Sequence, residues 1–119
     1  REFGDLPGHV RLVAADTGLN SWAFFGAIDY GLTVRGTVGM EMPCLGIPTV
    51  TAGSGRYSGR GFTIDPPTRE AYAQTLARLQ EMPPLDAATK SLARRYAYVT
   101  FELRPLRIDS FSLDYAARS

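Results

Sequence analysis

The sequence predicts an α/β fold, a Rossmann-like partial parallel sheet flanked by helices, in a single domain of 119 residues. Three short apolar or β-branched runs alternate with segments of helical periodicity, which indicates parallel strands joined by crossover helices. Each run is followed by a polar, glycine-bearing segment, at residues 15–20, 35–39 and 53–61. Because parallel sheets bind ligands at the carboxyl ends of their strands, these segments are the expected site.

Composition narrows the class of protein and of partner. The hydrophobic share of 45% and the charged share of 21% are ordinary for a soluble globular domain. A net charge of +1 gives no reason to expect nucleic acid as a partner. No apolar run approaches the roughly 18 residues of a membrane span, and no signal peptide is recognised, so we expect a cytoplasmic protein.

Metal and cysteine chemistry are not expected. Cys44 is the single cysteine, which rules out an internal disulfide, and its apolar neighbours predict a buried small hydrophobe rather than a nucleophile. His9 is the single histidine and has no triad or metal partner in sequence, so we expect it to be structural or exposed. The sequence predicts no metal and no cofactor.

The first predicted unit is a strand followed by a helix. Residues 10–15, VRLVAA, form an apolar run that is typical of a buried strand. Asn20 or Ser21 then caps a helix that is expected to continue through Ala27. The residues expected to face inward are Trp22, Phe25 and Ala23.

Residues 32–52 form the central predicted unit. Residues 32–34 read as a buried strand, Gly36 as a tight turn, and Thr37 as the cap of a short helix that begins at Val38. Gly46 ends that helix, and residues 47–50 begin the next strand.

This unit has a chemical interpretation and an ordinary one. A strand that leads through glycine into a helix presents free N–H groups to an anion, usually a phosphate. Glu41 lies about one helical turn further on, within reach of vicinal hydroxyls of a ribose or sugar. The alternative is that any α/β protein needs such turns, and that Glu41 is a solvated helix residue.

The loop at residues 53–61 is dense in glycine yet carries Arg56, Tyr57 and Arg60. Glycine lets a backbone approach a ligand closely, and arginine matches carboxylates and phosphates. Tyr57 either stacks on a sugar or base, or anchors the loop to the core. A ligand loop and a well-packed surface loop both remain open.

The remaining chain is expected to be mainly helical. Residues 62–64 are a short edge segment, and Thr68 caps a helix that runs to about Met82. Asp86 caps another helix, which Pro105 ends, and residues 107–119 form a mixed tail. The apolar stripes expected to face the core are Tyr72, Leu76 and Leu79 in the first helix, and Leu92, Tyr96, Val99 and Leu103 in the second.

At this point the chain resembles a known family. The run GTVGMEMPCLGIPTVTAGSGRYSGRGFTIDP (residues 36–66), followed by a tyrosine-bearing helix, is similar to the C-terminal part of bacterial capsule polysaccharide biosynthesis proteins. ARRYAYVTFELRPL (residues 93–106) resembles the way their C-terminal helices close. The likeness covers residues 10–106. These proteins are glycosyltransferases of the two-Rossmann-domain (GT-B) kind, so the resemblance implies that residues 1–119 are part of a nucleotide-sugar-binding domain.

The resemblance also implies roles for residues. In GT-B enzymes the C-terminal domain binds the nucleotide-sugar donor, and the N-terminal domain binds the acceptor. The implied phosphate contacts are Gly36, Thr37, Val38 and Gly39, and Glu41 would hold the ribose or donor hydroxyls. Arg56, Tyr57 and Ser58 would face the donor sugar or the interdomain cleft, Asn20 and Ser21 would lie near the base or phosphates, and Arg60 is a further candidate.

The same resemblance implies partners. The substrate would be a nucleotide-sugar, and a polysaccharide or glycolipid acceptor would bind through a domain missing from this chain, which commonly supplies the catalytic base. The parent protein would be peripheral to the inner membrane. Pro43, inside the short helix, departs from the expected pattern, since it removes a backbone hydrogen bond.

Two further hypotheses stand beside this one. The chain could be a non-catalytic half-domain that binds only a nucleotide, or that forms a homodimer through its exposed sheet edge. A nucleotide-sugar epimerase shares the two-domain plan, but no acid/base pair accompanies Glu41.

Overall fold

A computed structural model of the chain describes residues 5–14, 16–53 and 55–103. Within these residues the chain is a small mixed α/β domain with a two-stranded parallel sheet and four α-helices. In chain order the elements are α1 (Trp22–Phe25), β1 (Gly31–Thr33), α2 (Val38–Cys44), β2 (Thr49–Thr51), α3 (Arg69–Ala77) and α4 (Ala87–Tyr98). A 3₁₀ turn, Leu79–Glu81, follows α3, and a π-helical segment, Val99–Leu103, follows α4. The predicted tail lies outside the described residues.

The sheet is parallel, as predicted, and α2 is its crossover. Gly31, Leu32 and Thr33 pair with Thr49, Val50 and Thr51 respectively. On its other side β2 forms a parallel bridge with Ile64, whose N–H donates to the Thr49 carbonyl at 2.8 Å. β2 therefore lies between β1 and Ile64, which explains why all three of its residues are buried. Of the short edge segment predicted at residues 62–64, only Ile64 pairs with the sheet, through this bridge.

The strand predicted at residues 10–15 is wrong for the residues that the structure describes. Residues 10–14 have no regular secondary structure, and Leu12 is 68% exposed. Residue 15 lies outside the described ranges. An apolar run becomes a strand only when a neighbour satisfies its backbone and covers its side chains, and the run pairs with neither β1 nor β2.

The burial predicted for the elements around β1 is also corrected. In α1 only Phe25 is buried, whereas Ala23 is exposed and Trp22 is 55% exposed. The strand is shifted by one residue from the prediction, and Leu32 is 50% exposed. Only one neighbour pairs with β1, so part of its surface stays uncovered.

The central helix α2 begins at Val38 and ends before Gly46, as predicted. The side chain of Thr37, however, makes no capping hydrogen bond. Gly46 has a φ of +85°, which glycine adopts without strain, and a Cβ there would come within 3.0 Å of the Lys90 Cδ. Pro43 lies near the C-terminal end of α2 and is buried, so its missing N–H affects only the last turn.

Two apolar clusters meet at α2. Met40 packs with Tyr57, Phe62 and Ala93, while Met42 packs with Phe25 and Ile47. Side chains two residues apart point to different sides of a helix, so α2 connects the two clusters. This arrangement attaches both the glycine loop and α4 to the same short helix.

The later helices begin where the sequence predicts, and the stripe predicted on the first of them, Tyr72, Leu76 and Leu79, is half-buried. Thr68 accepts a hydrogen bond from the Ala71 N–H at 3.1 Å, and Asp86 accepts one from the Thr89 N–H at 2.7 Å, which confirms both caps. The first helix ends at Ala77 rather than near Met82.

The stripe predicted on the last helix is wrong in its orientation. Leu92 and Val99 are exposed, Tyr96 is half-buried, and Ala93 makes the core contact. Ala93 has no exposed surface, and a side chain this small allows α4 to lie close to α2. The side chain of Leu103 lies outside the part of the chain that the structure describes.

Candidate functional site

The segments that follow β1 and β2 lie side by side. The Ala52 N–H donates to the Thr33 carbonyl at 2.9 Å, which extends the pairing beyond the strand ends. A Cβ placed on Gly53 would lie 3.6 Å from the Val34 Cγ1. The two predicted ligand segments therefore meet at the carboxyl edge of the sheet, as parallel topology requires.

A cleft of about 390 Å³ opens beside this edge. Its walls come from the end of β2 and from the start of α3, namely Ala52, Gly53, Pro66, Pro67, Thr68, Arg69 and Tyr72. Small-molecule sites usually occupy about 300 to 1,000 Å³, so the cleft can hold part of a ligand of that class. Arg69 supplies a cation and Tyr72 an aromatic ring at its wall.

Some backbone N–H groups at the start of α2 are already used within the chain. The Gly39 N–H donates to the Gly36 carbonyl at 3.0 Å, and the Met40 N–H donates to the Thr37 carbonyl at 2.9 Å. Gly36 and Thr37 are exposed, Val38 is half-buried, and Gly39 is buried. Of the four residues expected to contact phosphate, only Gly36, Thr37 and Val38 have accessible surface.

Glu41 is half-buried in the first turn of α2. Among the residues that the structure describes, its carboxylate forms neither a hydrogen bond nor an ion pair. The side chain is therefore available to an external hydroxyl. A carboxylate with no partner among the described residues also agrees with the alternative that Glu41 is an ordinary solvated helix residue.

Tyr57 does not lie where a donor sugar could reach it. The side chain is only 2% exposed, and its hydroxyl donates to the Gly36 carbonyl at 2.9 Å. Burial raises the pKa of Tyr57, a hydrogen bond with Thr33 opposes that rise, and the charge of Asp65 adds to it. Of the two roles left open for this ring, the structure agrees with the anchor and not with the stacking platform.

Asp65 holds the glycine loop in place and is not among the predicted site residues. Its carboxylate accepts hydrogen bonds from the Thr51 hydroxyl at 2.7 Å, the Thr63 hydroxyl at 2.8 Å and the Gly59 N–H at 2.9 Å. These bonds join the end of β2, the middle of the loop and its exit. The available signal was an aspartate before two prolines, flanked by threonines two and fourteen residues earlier.

Tyr96 of α4 contacts both arginines of the glycine loop. The Tyr96 hydroxyl donates to the Arg56 carbonyl at 2.7 Å, while the Arg56 side chain remains exposed. The Arg60 guanidinium lies 5.7 Å from the centre of the Tyr96 ring. Ser58 accepts a hydrogen bond from the Gly55 N–H at 2.8 Å, so its hydroxyl already serves the loop itself. Tyr96 was expected to be only a core residue.

Asn20 and Ser21 precede α1, and no hydrogen bond among the described residues joins them to the loops after β1 and β2. The Asn20 side chain accepts from the Ala23 N–H at 3.2 Å and so caps α1. Ser21 is exposed and makes no side-chain capping bond. Their expected place near a base or phosphate is not visible in these contacts.

Cys44 is half-buried, and burial is the main cause that raises the pKa of its thiol. The Cys44 Sγ lies 3.1 Å from the Met40 carbonyl oxygen. The Cys44 carbonyl accepts a hydrogen bond from the Arg94 Nε at 3.0 Å. A raised pKa lowers the thiolate fraction and hence the reactivity of the sulfur.

In the described part of the chain, no three His, Cys, Asp or Glu side chains are grouped to hold a metal ion. The described helices include none with the length and apolar character needed to cross a bilayer.

Comparisons with protein-family models, with curated proteins and with solved structures find no match to this chain.

Proposed function

We propose that this chain is the nucleotide-sugar (donor) binding part of a GT-B glycosyltransferase that acts in capsular or surface polysaccharide biosynthesis. The resemblance of residues 36–66 to capsule polysaccharide proteins suggests this class. The observation that supports it most is the meeting of Val34 and Gly53, next to a cleft with a cation and an aromatic ring. Ligand sites of parallel sheets lie at this edge.

The proposed roles follow from exposure and charge. The accessible turn at Gly36 and Thr37 and the exposed side chain of Arg56 contact the diphosphate or phosphodiester of the donor, where negative charge develops as the nucleotide leaves. Glu41 accepts hydrogen bonds from ribose or sugar hydroxyls and does not transfer a proton. Arg69 and Tyr72 line the cleft that takes the remainder of the nucleotide. An acceptor polysaccharide or glycolipid binds to another domain.

The test is a thermal-shift screen of the chain with CMP, UDP and GDP compounds, followed by calorimetry with any nucleotide that stabilises it. A ligand present at 100 times its dissociation constant stabilises the native state by about 2.7 kcal/mol. Glu41→Ala and Arg56→Ala should weaken binding of that nucleotide. Removing one charged hydrogen bond should lower affinity by roughly tenfold, since such a bond is worth about 1.5 kcal/mol.

Matched controls are available on the 3₁₀ turn. Arg78 and Glu81 form an exposed ion pair with each other, so Arg78→Ala and Glu81→Ala remove the same charges from a surface with no proposed role. The proposal is wrong if no nucleotide stabilises the chain. The assigned residues are wrong if Glu41→Ala and Arg56→Ala bind as tightly as the two controls.

A second candidate is a half-domain that self-associates through the sheet edge. Among the described residues β1 pairs only with β2, and both Leu32 and Val34 are exposed beside the free edge. An unpaired, apolar edge is a template for another strand. Sedimentation of the chain across a concentration series separates the candidates, because a monomer at all concentrations removes this one. Leu32→Lys should shift any dimer toward monomer.

A further inference from the structure

A second groove, of about 480 Å³, lies along α4 and shares no residue with the cleft described above. It is lined by Arg60, Leu92, Arg95, Tyr96 and Val99. The four residues from the helical segment are spaced three, four and seven positions after Leu92, which places them on one face. Arg60 approaches that face from the glycine loop, across the ring of Tyr96.

The groove combines uncovered apolar surface with two guanidinium groups that form no ion pair with any described residue. Leu92 is 36% exposed and Val99 is 41% exposed. Arg78–Glu81 is the sole ion pair among the described residues, so neither Arg60 nor Arg95 has a carboxylate within 4.0 Å there. A complementary occupant would bring apolar side chains to Leu92 and Val99, and carboxylates to the two guanidinium groups.

We propose that residues 108–115 of the same chain, IDSFSLDY, occupy this groove. The stretch carries two carboxylates, Asp109 and Asp114, among four large apolar side chains, Ile108, Phe111, Leu113 and Tyr115. The described chain ends at Leu103, four positions after Val99. Val99, which lines the groove, and Leu103 lie in one helical segment about a turn apart, and the four residues between Leu103 and Ile108 can span about 14 Å.

Covalent connection favours this occupant over an external one. A short linker gives a tethered segment a millimolar effective concentration, so even a weak complementary contact is populated. An anionic membrane is a poorer match, since lipid-binding surfaces usually gather about four to eight cations and this groove has two. The exposed aromatic rings of Tyr98 and Phe101 also lie outside the groove lining. Residues 108–115 bound in the groove would cover its apolar side chains. They would also fix the position of Arg60, which lies near the end of the glycine loop.

The experiment is paramagnetic relaxation in the full chain. Cys44→Ser removes the one native thiol, Ser112→Cys receives a nitroxide label, and the leucine and valine methyl groups are observed by NMR. The methyl signals of Leu92 and Val99 should lose intensity in the oxidised label and recover on its reduction. Asp109→Arg with Asp114→Arg should abolish this loss, and adding Arg60→Glu with Arg95→Glu should restore it.

Controls separate the named occupant from others. Asp5→Arg with Asp29→Arg changes two exposed acids elsewhere and should leave the intensity loss at Leu92 and Val99 unchanged. A sample that mixes isotope-labelled chain with spin-labelled but unenriched chain reports contacts between copies. Loss of signal in that mixture would identify a second copy as the occupant and overturn the proposal. Unchanged Leu92 and Val99 signals in the tethered sample would overturn it as well.

Discussion

Gly39 in the first turn of α2 lies against the phenol ring of Tyr57, and this contact fixes where the arginine-bearing loop sits. A Cβ added at Gly39 would overlap the Tyr57 hydroxyl and ring, including the Cε2 at 2.7 Å. Tyr57 is buried between Met40 and Phe62, so its ring has little room to move aside. Gly39→Ala should therefore force either α2 or the loop to shift.

The magnitude follows from two opposing effects. Overpacking a core usually costs about 1 to 3 kcal/mol, and a rigid buried ring places this site in the upper half of that range. Alanine recovers about 0.5 to 1 kcal/mol of helical backbone entropy relative to glycine. The net loss in the free energy of unfolding should be about 1 to 2.5 kcal/mol, or a fall of roughly 4 to 10 °C in Tm.

Urea denaturation with linear extrapolation measures this loss, and a companion variant isolates its cause. Tyr57→Phe removes the hydroxyl that lies nearest the added Cβ, so Gly39→Ala should cost less in that background. Gly26 is the control, because it has an ordinary helical φ of −76° and no atom within 4 Å of an added Cβ. Gly26→Ala should be neutral or stabilise the chain by about 0.4 to 1 kcal/mol. Equal stabilities of Gly39→Ala and Gly26→Ala would refute the packing described here.

Three further predictions concern titration, the loop and the thiol. The raised pKa of Tyr57 means that the unfolded chain loses this proton first, so stability should fall as pH rises above 10; this slope should be smaller in Tyr57→Phe. If both proteins lose stability identically between pH 9 and 11, Tyr57 does not carry the effect. Asp65→Asn should destabilise the chain by about 1 to 2 kcal/mol and speed amide exchange at Gly59, whereas the exposed Asp29→Asn should do neither. Unchanged exchange at Gly59 would contradict the loop-holding role. Burial of Cys44 predicts slower alkylation by iodoacetamide at pH 8 in native buffer than in urea, and equal rates would show that the thiol is accessible.

The elements predicted correctly are those with strong local signals. Thr68 and Asp86 start their helices because each side-chain oxygen accepts a hydrogen bond from the N–H three residues later. The first N–H groups of a helix need such an acceptor, and a nearby residue can supply it. Gly46 ends α2 because its φ of +85° favours glycine wherever the helix packs. The strand, turn and helix around Gly36 were likewise predictable from nearby residues.

The errors occur where a residue's surroundings come from distant parts of the chain. The run VRLVAA has the composition of a buried strand, but residues 10–14 meet no pairing partner and stay exposed. On α4 the sequence favoured Leu92 and Val99 as core residues, whereas the small Ala93 permits the close approach to α2. Asp65 joins the loop to β2 through Thr51, fourteen residues earlier, and only the tertiary structure brings these two side chains together.

The sequence by itself determined the α/β class, the parallel crossover at residues 31–51, and the helix caps at Thr68 and Asp86, since each depends on backbone needs met within a few residues. Tertiary structure alone decided that Tyr57 is an anchor and not a ligand contact, because its burial arises from Met40, Phe62 and Ala93 together. It also decided that Val34 and Gly53 meet beside a cleft, as this requires two strand ends to emerge at one sheet edge.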